Sequence, residues 1–329
     1  MNRRFVFWFL LAALVVLLPF RSPAPLIYAP GEGWYYEAYG AKADWQRSRA
    51  KDQLDVAQQA FDRKDYRLAL RAAHRLIFMW PQSDYAPDAE YLIGRCLEAT
   101  GKDEAAFNAY QAIIQKYPHS HFYEDILQRQ YAIAGRFLNG EWFRIWNLIP
   151  LYPSMSQTAE LYQKIVKNGP FSDIAPQAQL RIGEAREKQK NYEDAVKAYE
   201  TAADRYNNQP VIAADAMFRT GVSYQKQAET AEYDQSTAGK AIAAFTDFMT
   251  LFPDDKRVPQ AQQAIAALKL EQVRGNFMIA QFYEKSKKWD GAVVYYNQVL
   301  QLDPNSPYAA PARKRIEALK PRLQLSRAD

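Results

Sequence analysis

Apolar positions along this chain repeat with the period of an α-helix, and the segment from Glu90 to Pro118 shows the pattern most clearly. Its first half spreads small and apolar side chains around a helix that is expected to end at Gly101, where a positive φ carries no steric penalty. Its second half repeats apolar residues every three or four positions and forms one stripe: Ala105, Ala106, Ala109, Tyr110, Ile113 and Ile114. The pattern predicts two short helices folded back on each other.

This two-helix pattern occurs six times. A small residue in the second helix is followed twelve positions later by proline or, once, by asparagine: Ala69 and Pro81, Ala106 and Pro118, Thr158 and Pro170, Ala195 and Asn207, Ala241 and Pro253, Ala292 and Pro304. The facing small residues of the first helices are Ala57, Gly94, Ala134, Gly183, Gly221 and Ala280. The pattern resembles the tetratricopeptide repeat. It predicts an all-α, right-handed solenoid of about six such helix pairs.

A second signature joins successive units: PQSDYAPDA from Pro81, PFSDIAPQA from Pro170 and PNSPYAAPA from Pro304. Serine is a common helix N-cap, and proline is favoured in the first helical turn. We therefore expect the serine to cap the first helix of the next unit and the later proline to lie in that helix's first turn.

Two units contain insertions between their paired helices. In the third unit Ala134 and Thr158 are 24 positions apart, and the insertion at 140–153 is strongly apolar. It either docks a partner or a membrane, or it extends a helix and covers its own hydrophobic stripe. The insertion in the fifth unit begins at Glu229 and is polar, which predicts an exposed loop.

The sixth unit is expected to open with one uninterrupted helix from Pro259 to about Lys287, roughly 40 Å long. Such a helix would link two stacked blocks rigidly. After Pro307 the sequence predicts a terminal capping helix with a basic end. Terminal repeats need a polar outer face, so we assign that basic character mainly to solvation.

The N-terminus begins with positive charge and an apolar run from Phe5 to Phe20. This pattern predicts a signal peptide or a membrane anchor. The proline and aromatic residues that follow predict an extended linker, whose aromatic side chains lie along a partner or the membrane interface or else pack on the first helices. The resulting domain boundaries are a signal or anchor at 1–22, a linker at 23–44, repeat blocks at 45–170 and 171–320, and a tail at 321–329.

Composition limits the function further. The net charge is +5, but the chain shows no clustered basic face of the kind that binds nucleic acid. The single cysteine, Cys96, is expected to be a small buried residue. The three histidines lack metal-ligand spacing, and no nucleophile or phosphate-binding motif occurs. We therefore predict a non-enzymatic protein with no metal, no cofactor and no nucleic-acid partner.

The segments 218–255 and 280–312, with the long helix between them, resemble the C-terminal half of BamD-type outer-membrane assembly factors. The positions that carry the resemblance are Gly221, Tyr224, Asp234, Gln235, Ala244, Phe245, Phe248, Pro253, Phe282, Tyr283, Trp289, Ala292, Val293, Tyr296 and Pro304. The resemblance covers about residues 50–315. It implies a periplasmic scaffold under the outer membrane, whose C-terminal repeats contact a barrel-inserting subunit and whose N-terminal repeats receive unfolded barrel precursors.

Two features depart from that family. No cysteine lies just after the apolar N-terminal run, so lipid anchoring is not expected, and the chain has six units where family members usually have five. One alternative function is a periplasmic tetratricopeptide protein that coordinates cell-wall synthesis, because such proteins share the inter-repeat signature. Another is a glycan-binding or catalytic envelope protein, which would need a pair of carboxylates with perturbed pKa values in a cleft.

Two sets of site residues follow from these expectations. First helices of such repeats line a concave face, which on units one to three selects Gln58, Phe61, Tyr91, Arg95, Glu98 and Tyr131 as a peptide-binding groove. Aromatic rings beside Arg95 suit an extended peptide that ends in an aromatic residue and a carboxylate. The polar segment from Tyr233 to Thr237 is the expected partner interface, with Asp234, Gln235 and Lys240 as contacts and Phe245 as an apolar anchor.

Overall fold

The computed structural model describes residues 26–30, 33–36, 44–145, 149–152, 154–230 and 235–326. The chain divides into two compact units, Met1–Ile126 and Leu127–Asp329, a boundary that differs from the one predicted after residue 170. Residues 1–22, the expected signal or anchor, lie outside the described part. None of the described helices is both long enough and apolar enough to cross a membrane.

The described residues are mostly helical, and the helices follow one another in pairs. In the first unit the helices are α1 (Ala50–Asp62), α2 (Tyr66–Met79), α3 (Ala86–Ala99) and α4 (Asp103–Lys116). Helix α5 (Tyr123–Leu138) begins at the end of that unit. The remaining helices are α6 (Met155–Asn168), α7 (Ala175–Lys188), α8 (Tyr192–Arg205), α9 (Pro210–Thr230), α10 (Gln235–Leu251), α11 (Val258–Lys285), α12 (Trp289–Leu302) and α13 (Ala309–Ser326). Six pairs and a terminal helix confirm the predicted all-α repeat fold over these ranges.

In three of the pairs a ring of the second helix covers a glycine of the first. At Gly94 an added Cβ would lie 2.4 Å from Tyr110 Cε1, and at Gly183 it would lie 2.3 Å from Tyr199 Cε1. Phe245 occupies the same position against Gly221. The aromatic residue comes four positions after the small residue of the second helix, as Tyr110 does after Ala106. The expected interlocking of small and bulky residues is therefore confirmed.

The turns inside the pairs contain residues with positive φ. Gly101 has φ 69°, as expected for the end of α3. The corresponding turns of three other pairs have lysine in this conformation: Lys64 at 63°, Lys190 at 60° and Lys287 at 58°. An L-amino acid is disfavoured there, so these three turns are locally strained.

The serines of the inter-repeat signature are not helix N-caps, and that expectation is wrong. The N-cap residue of α3 is Tyr85, and no side chain caps the helix. Ser83 instead accepts a hydrogen bond from the Tyr85 amide at 3.2 Å, which stabilises the turn before the helix. Ser306 Oγ likewise donates to the Asp303 carbonyl at 2.9 Å. The proline of the signature does lie in the first turn of α3 and of α7, as expected.

Two short antiparallel hairpins interrupt the helical pattern. Strands β1 (Leu26–Ala29) and β2 (Gly33–Tyr36) pair within the segment that was expected to be an extended linker. Tyr28 and Trp34 lie across from each other with ring centroids 5.2 Å apart, and both are more than half exposed. The described rings of this segment thus contact each other. The sequence pattern predicted an extended linker here and did not predict the hairpin.

The second hairpin lies in the apolar insertion and consists of β3 (Phe143–Ile145) and β4 (Ile149–Tyr152). The described part of the insertion is therefore a hairpin, and the alternative of an extended helix is wrong. Phe143 is buried and stacks on Phe137 of α5, with centroids 4.0 Å apart. Trp142 is 51% exposed. One aromatic residue of the insertion thus joins the core, while its neighbour remains at the surface.

The polar insertion of the fifth unit is largely helical. Helix α9 continues to Thr230 and α10 begins at Gln235, so Gln235–Thr237 are not part of a loop as predicted. Thr237 is buried. The insertion lengthens both helices of the pair, and residues 231–234 lie outside the described ranges.

Helix α11 has the length expected from the sequence, 28 residues. Its first half packs into the core that α10 contributes to, through Ala261, Ile265 and Leu268. Its second half packs into the core of α12, through Val273 and Ala280. The prediction that this helix links two blocks is confirmed within the second unit.

The terminal helix α13 continues through Pro321 to Ser326, so residues 321–326 belong to this helix and not to a separate tail as the sequence suggested. Part of its basic character fixes the helix in place. Arg315 forms an ion pair with Glu284 of α11, and Glu284 also accepts a hydrogen bond from Tyr296 at 2.9 Å. Arg322 lies 5.0 Å from the Trp289 ring centroid. These arginines therefore do more than solvate the end of the chain.

Candidate functional site

A cavity of about 730 Å³ lies in the second unit between α7, α9 and the turn that joins α10 to α11. We name it the Arg257 groove. Four cationic residues line it, namely Arg181, Arg219, Lys256 and Arg257, together with four carboxylates, Glu184, Asp215, Asp254 and Asp255. Apolar side chains of α7, α9 and α10 form most of the remaining wall. The groove thus combines apolar surface with balanced charge.

Asp215 joins two arginines from different repeats. Arg219 Nε donates to Asp215 Oδ2 at 3.0 Å, one turn along α9. Arg257 Nη1 donates to Asp215 Oδ1 at 2.6 Å, across a separation of 42 residues. Charge-assisted hydrogen bonds of this kind fix geometry as well as add energy. The pair therefore ties α9 to the turn before α11.

The Arg257 side chain contacts two carboxylates and two aromatic rings. Its Nη2 lies 2.8 Å from Asp255 Oδ2, and its guanidinium carbon lies 5.0 Å and 5.5 Å from the ring centroids of Phe218 and Phe248. Such cation–π contacts add to the ion pairs. The hydrogen bonds from Arg257 lower the pKa of Asp255 to about 2, and those to Asp255 raise the pKa of Arg257. Both groups stay charged throughout the neutral range.

The other end of the groove is organised by Arg181. Its Nε donates to Tyr131 Oη at 3.3 Å, and its Nη1 pairs with Glu184. Lys188 Nζ lies 3.6 Å from the same carboxylate and donates to the Leu138 carbonyl at 2.8 Å. The hydrogen bond with Tyr131 contributes most to raising the pKa of Arg181. This cluster fixes the first helices of the third and fourth units against each other.

The residues predicted to form a peptide groove on the first repeats are partly brought together. The Arg95 guanidinium carbon lies 5.1 Å from the Phe61 ring centroid and 5.8 Å from that of Tyr91. Arg95 Nη1 also donates to Tyr91 Oη at 3.4 Å, and that hydroxyl donates to Asp125. All three predicted residues are half-buried. Their contact is a fact of the structure, whereas their role in binding stays a prediction.

The other members of that set lie in different surroundings. Gln58 donates to Asp62 on its own helix at 2.9 Å, and Glu98 accepts a hydrogen bond from Tyr110 at 2.9 Å. Tyr131 belongs to the second unit, where it bonds to Arg181. The six residues therefore do not form one site inside one unit.

The predicted partner interface needs correction at Phe245. Its side chain is 1% exposed and packs on Gly221 and Phe218, so it cannot serve as an apolar anchor for a partner. Lys240 is exposed, with Nζ 6.0 Å from the Tyr224 ring centroid. Asp234 lies outside the described residues, and Gln235 begins α10.

Cys96 is fully buried, as expected, and burial raises the pKa of its thiol to about 11. His121 packs on Phe122 with ring centroids 3.8 Å apart. Across the described ranges, no group of three or more histidine, cysteine, aspartate and glutamate side chains is arranged to hold a metal ion.

Sequence reasoning missed the Arg257 groove. The spacing of Asp215 and Arg219 marks them as a pair on one helix, but nothing local connects either residue to Arg257. The position of Arg257 could have indicated the contact. It directly precedes α11, the first helix of the sixth unit, and from there it can reach α9, the first helix of the fifth unit.

Comparison with known proteins agrees with this architecture. Residues 88–120 match a family model of the tetratricopeptide repeat. The helix pair α3–α4 is thus similar to a tetratricopeptide repeat. Residues 153–303 match a second model, YfiO, described as an outer membrane lipoprotein. The resemblance to BamD-type proteins is thus supported for this part of the chain, which is a little under half of it and includes every residue that lines the Arg257 groove except Tyr131.

No curated protein matches the chain. Among solved structures, a tetratricopeptide protein from Bacteroides fragilis is 13% identical, with 83% of this chain and 100% of that chain covered and a TM-score of 0.39. The C-terminal part of a tetratricopeptide protein from Cytophaga hutchinsonii is 16% identical, covering 80% and 87%, with a TM-score of 0.37. Pseudomonas aeruginosa pilF is 10% identical, covering 81% and 97%, with a TM-score of 0.30.

Proposed function

We propose that this protein is a non-enzymatic scaffold of the outer-membrane β-barrel assembly machinery. In that role it binds the barrel-inserting subunit and unfolded outer-membrane protein precursors. The observation that supports this most is the match of residues 153–303 to an outer membrane lipoprotein family, over a segment that includes most of the residues lining the Arg257 groove. Tetratricopeptide repeats are protein-interaction modules, and stacked helix pairs create extended binding surfaces.

The proposed location is the periplasmic side of the outer membrane. The apolar run from Phe5 to Phe20 would direct export, and it would hold the protein at a membrane if it is retained. No cysteine lies just after this run, so we propose attachment through residues 5–20 or through a partner instead of through a lipid. Inhibiting lipoprotein processing is then expected to leave membrane attachment unchanged, and a lipidated mature N-terminus would contradict the proposal.

The two proposed binding surfaces lie on different repeats. Precursors would bind near Phe61, Tyr91 and Arg95, where two rings surround one cation. The barrel-inserting subunit would contact the fifth unit near Asp234 and Lys240. Replacing Tyr91 and Arg95 by alanine is expected to weaken precursor binding without loss of helicity. Charge reversal at Asp234 and Lys240 is expected to release the subunit without lowering the thermal midpoint.

The decisive experiment is affinity purification of the intact chain from envelope membranes. Recovery of the barrel-inserting subunit, and its loss in the charge-reversed variant, would support the proposal. Recovery of cell-wall synthases in its place would favour the alternative role in coordinating cell-wall synthesis. A chain that recovers neither class would contradict both functions.

A further inference from the structure

A smaller cavity, which we name the Lys167 pocket, lies between the ends of α6 and α8 beside α7. Val166, Gln179 and Ile182 line it as buried residues, whereas Lys167 and Arg205 line it as exposed ones. It shares no lining residue with the Arg257 groove. Its volume is about 290 Å³. Sites for whole drug-sized ligands begin at about 300 Å³, so the pocket has room for one small group and not for a folded segment.

Both charged residues that line the Lys167 pocket are cations. Lys167 lies in the last turn of α6 and Arg205 in the last turn of α8. In the part of the chain that the structure describes, neither side chain has a carboxylate partner, and the exposed Asp204 next to Arg205 does not line the pocket. A cation in the last turn stabilises the carbonyl end of its own helix, but this effect does not require two cations to share one cavity. The pocket therefore offers two positive charges to an anion.

Gln179 adds a hydrogen-bond acceptor to the buried side of the pocket. It is 6% exposed, and its Nε2 donates to the Ala198 carbonyl at 3.0 Å. Gln53 holds the same position in the first unit, where its Nε2 donates to the Ala72 carbonyl at 3.2 Å and its Oε1 accepts from the Arg47 amide at 2.9 Å. The Oε1 of Gln179 accepts no hydrogen bond from any described residue. A hydroxyl of a bound ligand can take the place of the Arg47 amide.

We propose that the Lys167 pocket binds a phosphate ester whose alcohol part carries a free hydroxyl, as glycerol phosphate does. Lys167 and Arg205 donate charge-assisted hydrogen bonds to the phosphate oxygens, and Gln179 Oε1 accepts a hydrogen bond from the hydroxyl. A phosphate group has enough oxygens to meet two cations from different helices at once. The pocket is separate from both surfaces assigned above, and the inference does not rest on the proposed function.

Phe171 bears on the source of such an ester. It follows Pro170, which lines the pocket, and it is 98% exposed. The headgroup of an anionic lipid would bring acyl chains toward this side chain, at the kind of membrane interface where aromatic residues are used as anchors. A soluble phosphate ester has no acyl chains for the ring to contact. A substitution at Phe171 therefore separates a lipid source from a soluble one.

The test uses the full chain held in a non-ionic amphipol and isothermal titration calorimetry with glycerol phosphate. Lys167→Gln and Arg205→Gln are each expected to weaken binding at least about tenfold, because each removes a charge-assisted hydrogen bond. The matched control is Lys164→Gln, since Lys164 is exposed on the same helix as Lys167 and does not line the pocket. It is expected to change affinity less than about twofold, because charges outside the pocket are screened by salt.

Ligand analogues test the chemistry that is assigned to the pocket. Methyl phosphate lacks the hydroxyl and is expected to bind at least about fivefold more weakly than glycerol phosphate. Equal binding of the two esters would overturn the proposal, as would unchanged affinity in Lys167→Gln and Arg205→Gln or an equal loss in Lys164→Gln. Tighter binding of an oligoglutamate peptide, lost in the same two variants, would assign the pocket to an acidic protein and would also overturn it.

Dihexanoyl phosphatidylglycerol, a soluble short-chain lipid, separates the two sources. Tighter binding of this lipid than of glycerol phosphate, weakened by Phe171→Ser, would support the proposal with a membrane lipid as the ligand. Equal binding that Phe171→Ser leaves unchanged would support it with a soluble phosphate ester. Dihexanoyl phosphatidylcholine has no net charge and no headgroup hydroxyl, so it is expected not to compete. If neither glycerol phosphate nor the short-chain phosphatidylglycerol binds, the proposal fails.

Discussion

The close contact between a helix glycine and an aromatic ring predicts that glycine-to-alanine substitution has opposite effects on stability at Gly183, which has this contact, and at Gly239, which lacks it. At Gly183 an alanine Cβ would lie 2.3, 2.5 and 2.6 Å from three atoms of the Tyr199 ring. Tyr199 is fully buried against α7 and α9, so its ring cannot move aside without disturbing its neighbours. Overpacking of a core typically costs about 1–3 kcal/mol, and the helix propensity of alanine returns only about 1 kcal/mol. Because these contacts are severe, we expect Gly183→Ala to destabilise the fold by about 1–2 kcal/mol net.

Gly239 provides the matched control on α10. Apart from its chain neighbours and the backbone of its own helix, no atom lies within 4 Å of its added Cβ, and its φ is not positive, so Gly239→Ala is expected to stabilise by up to about 1 kcal/mol. Urea unfolding of the full chain, followed by circular dichroism at 222 nm, measures both changes through the transition midpoint. A midpoint for Gly183→Ala equal to or above that of the wild type would refute the reasoning. A fall in both variants would mean that glycine is required for some reason other than the aromatic contact.

Three further predictions concern single groups. The Cys96 thiol, whose pKa burial raises to about 11, is expected to react with a disulfide reagent at pH 8 only as fast as the protein opens, and quickly in urea. Asp255 has a lowered pKa of about 2, so its contribution to stability is present above about pH 4 and is lost as pH falls toward about 2. In Arg257→Gln, stability is expected to be lower at pH 7 and to change less between pH 4 and pH 2. Acid titration followed by circular dichroism measures both effects. Lys190→Gly relieves a positive φ and is expected to raise the free energy of unfolding by up to about 1 kcal/mol, seen as a higher urea midpoint. An unchanged or lower midpoint would contradict strain in that turn.

The sequence predicted the fold well where the information was local. Each pair of small residues specifies a close approach of two helices, and this spacing correctly located six pairs. Unbroken helical periodicity without an internal proline located the long helix α11. Phe245 was misplaced for an avoidable reason. It comes four residues after Ala241, as Tyr110 comes four after Ala106, so its burial against Gly221 could have been inferred from the repeat.

The candidate site was less predictable because its residues are far apart in sequence. The ion pair between Arg257 and Asp215 spans 42 residues, and it depends on how one repeat stacks on the next. The two hairpins were not predicted either, because the sequence was searched for apolar residues at helical spacing. Short paired strands do not have that spacing. The pairing of β3 with β4 shifts register between Phe143 and Arg144, so a regular alternation of apolar and polar residues is not expected along this hairpin.

Helix α11 has a mechanical consequence for the last repeats. Because one helix of 28 residues contributes to two successive cores, neither core can tilt without moving the other. At 1.5 Å per residue the helix is about 42 Å long, so a tilt of about 10° at one end displaces the other by about 7 Å. A small movement at the α12 end, such as a partner would cause by shifting Trp289, would therefore be amplified on its way to the turn that carries Arg257.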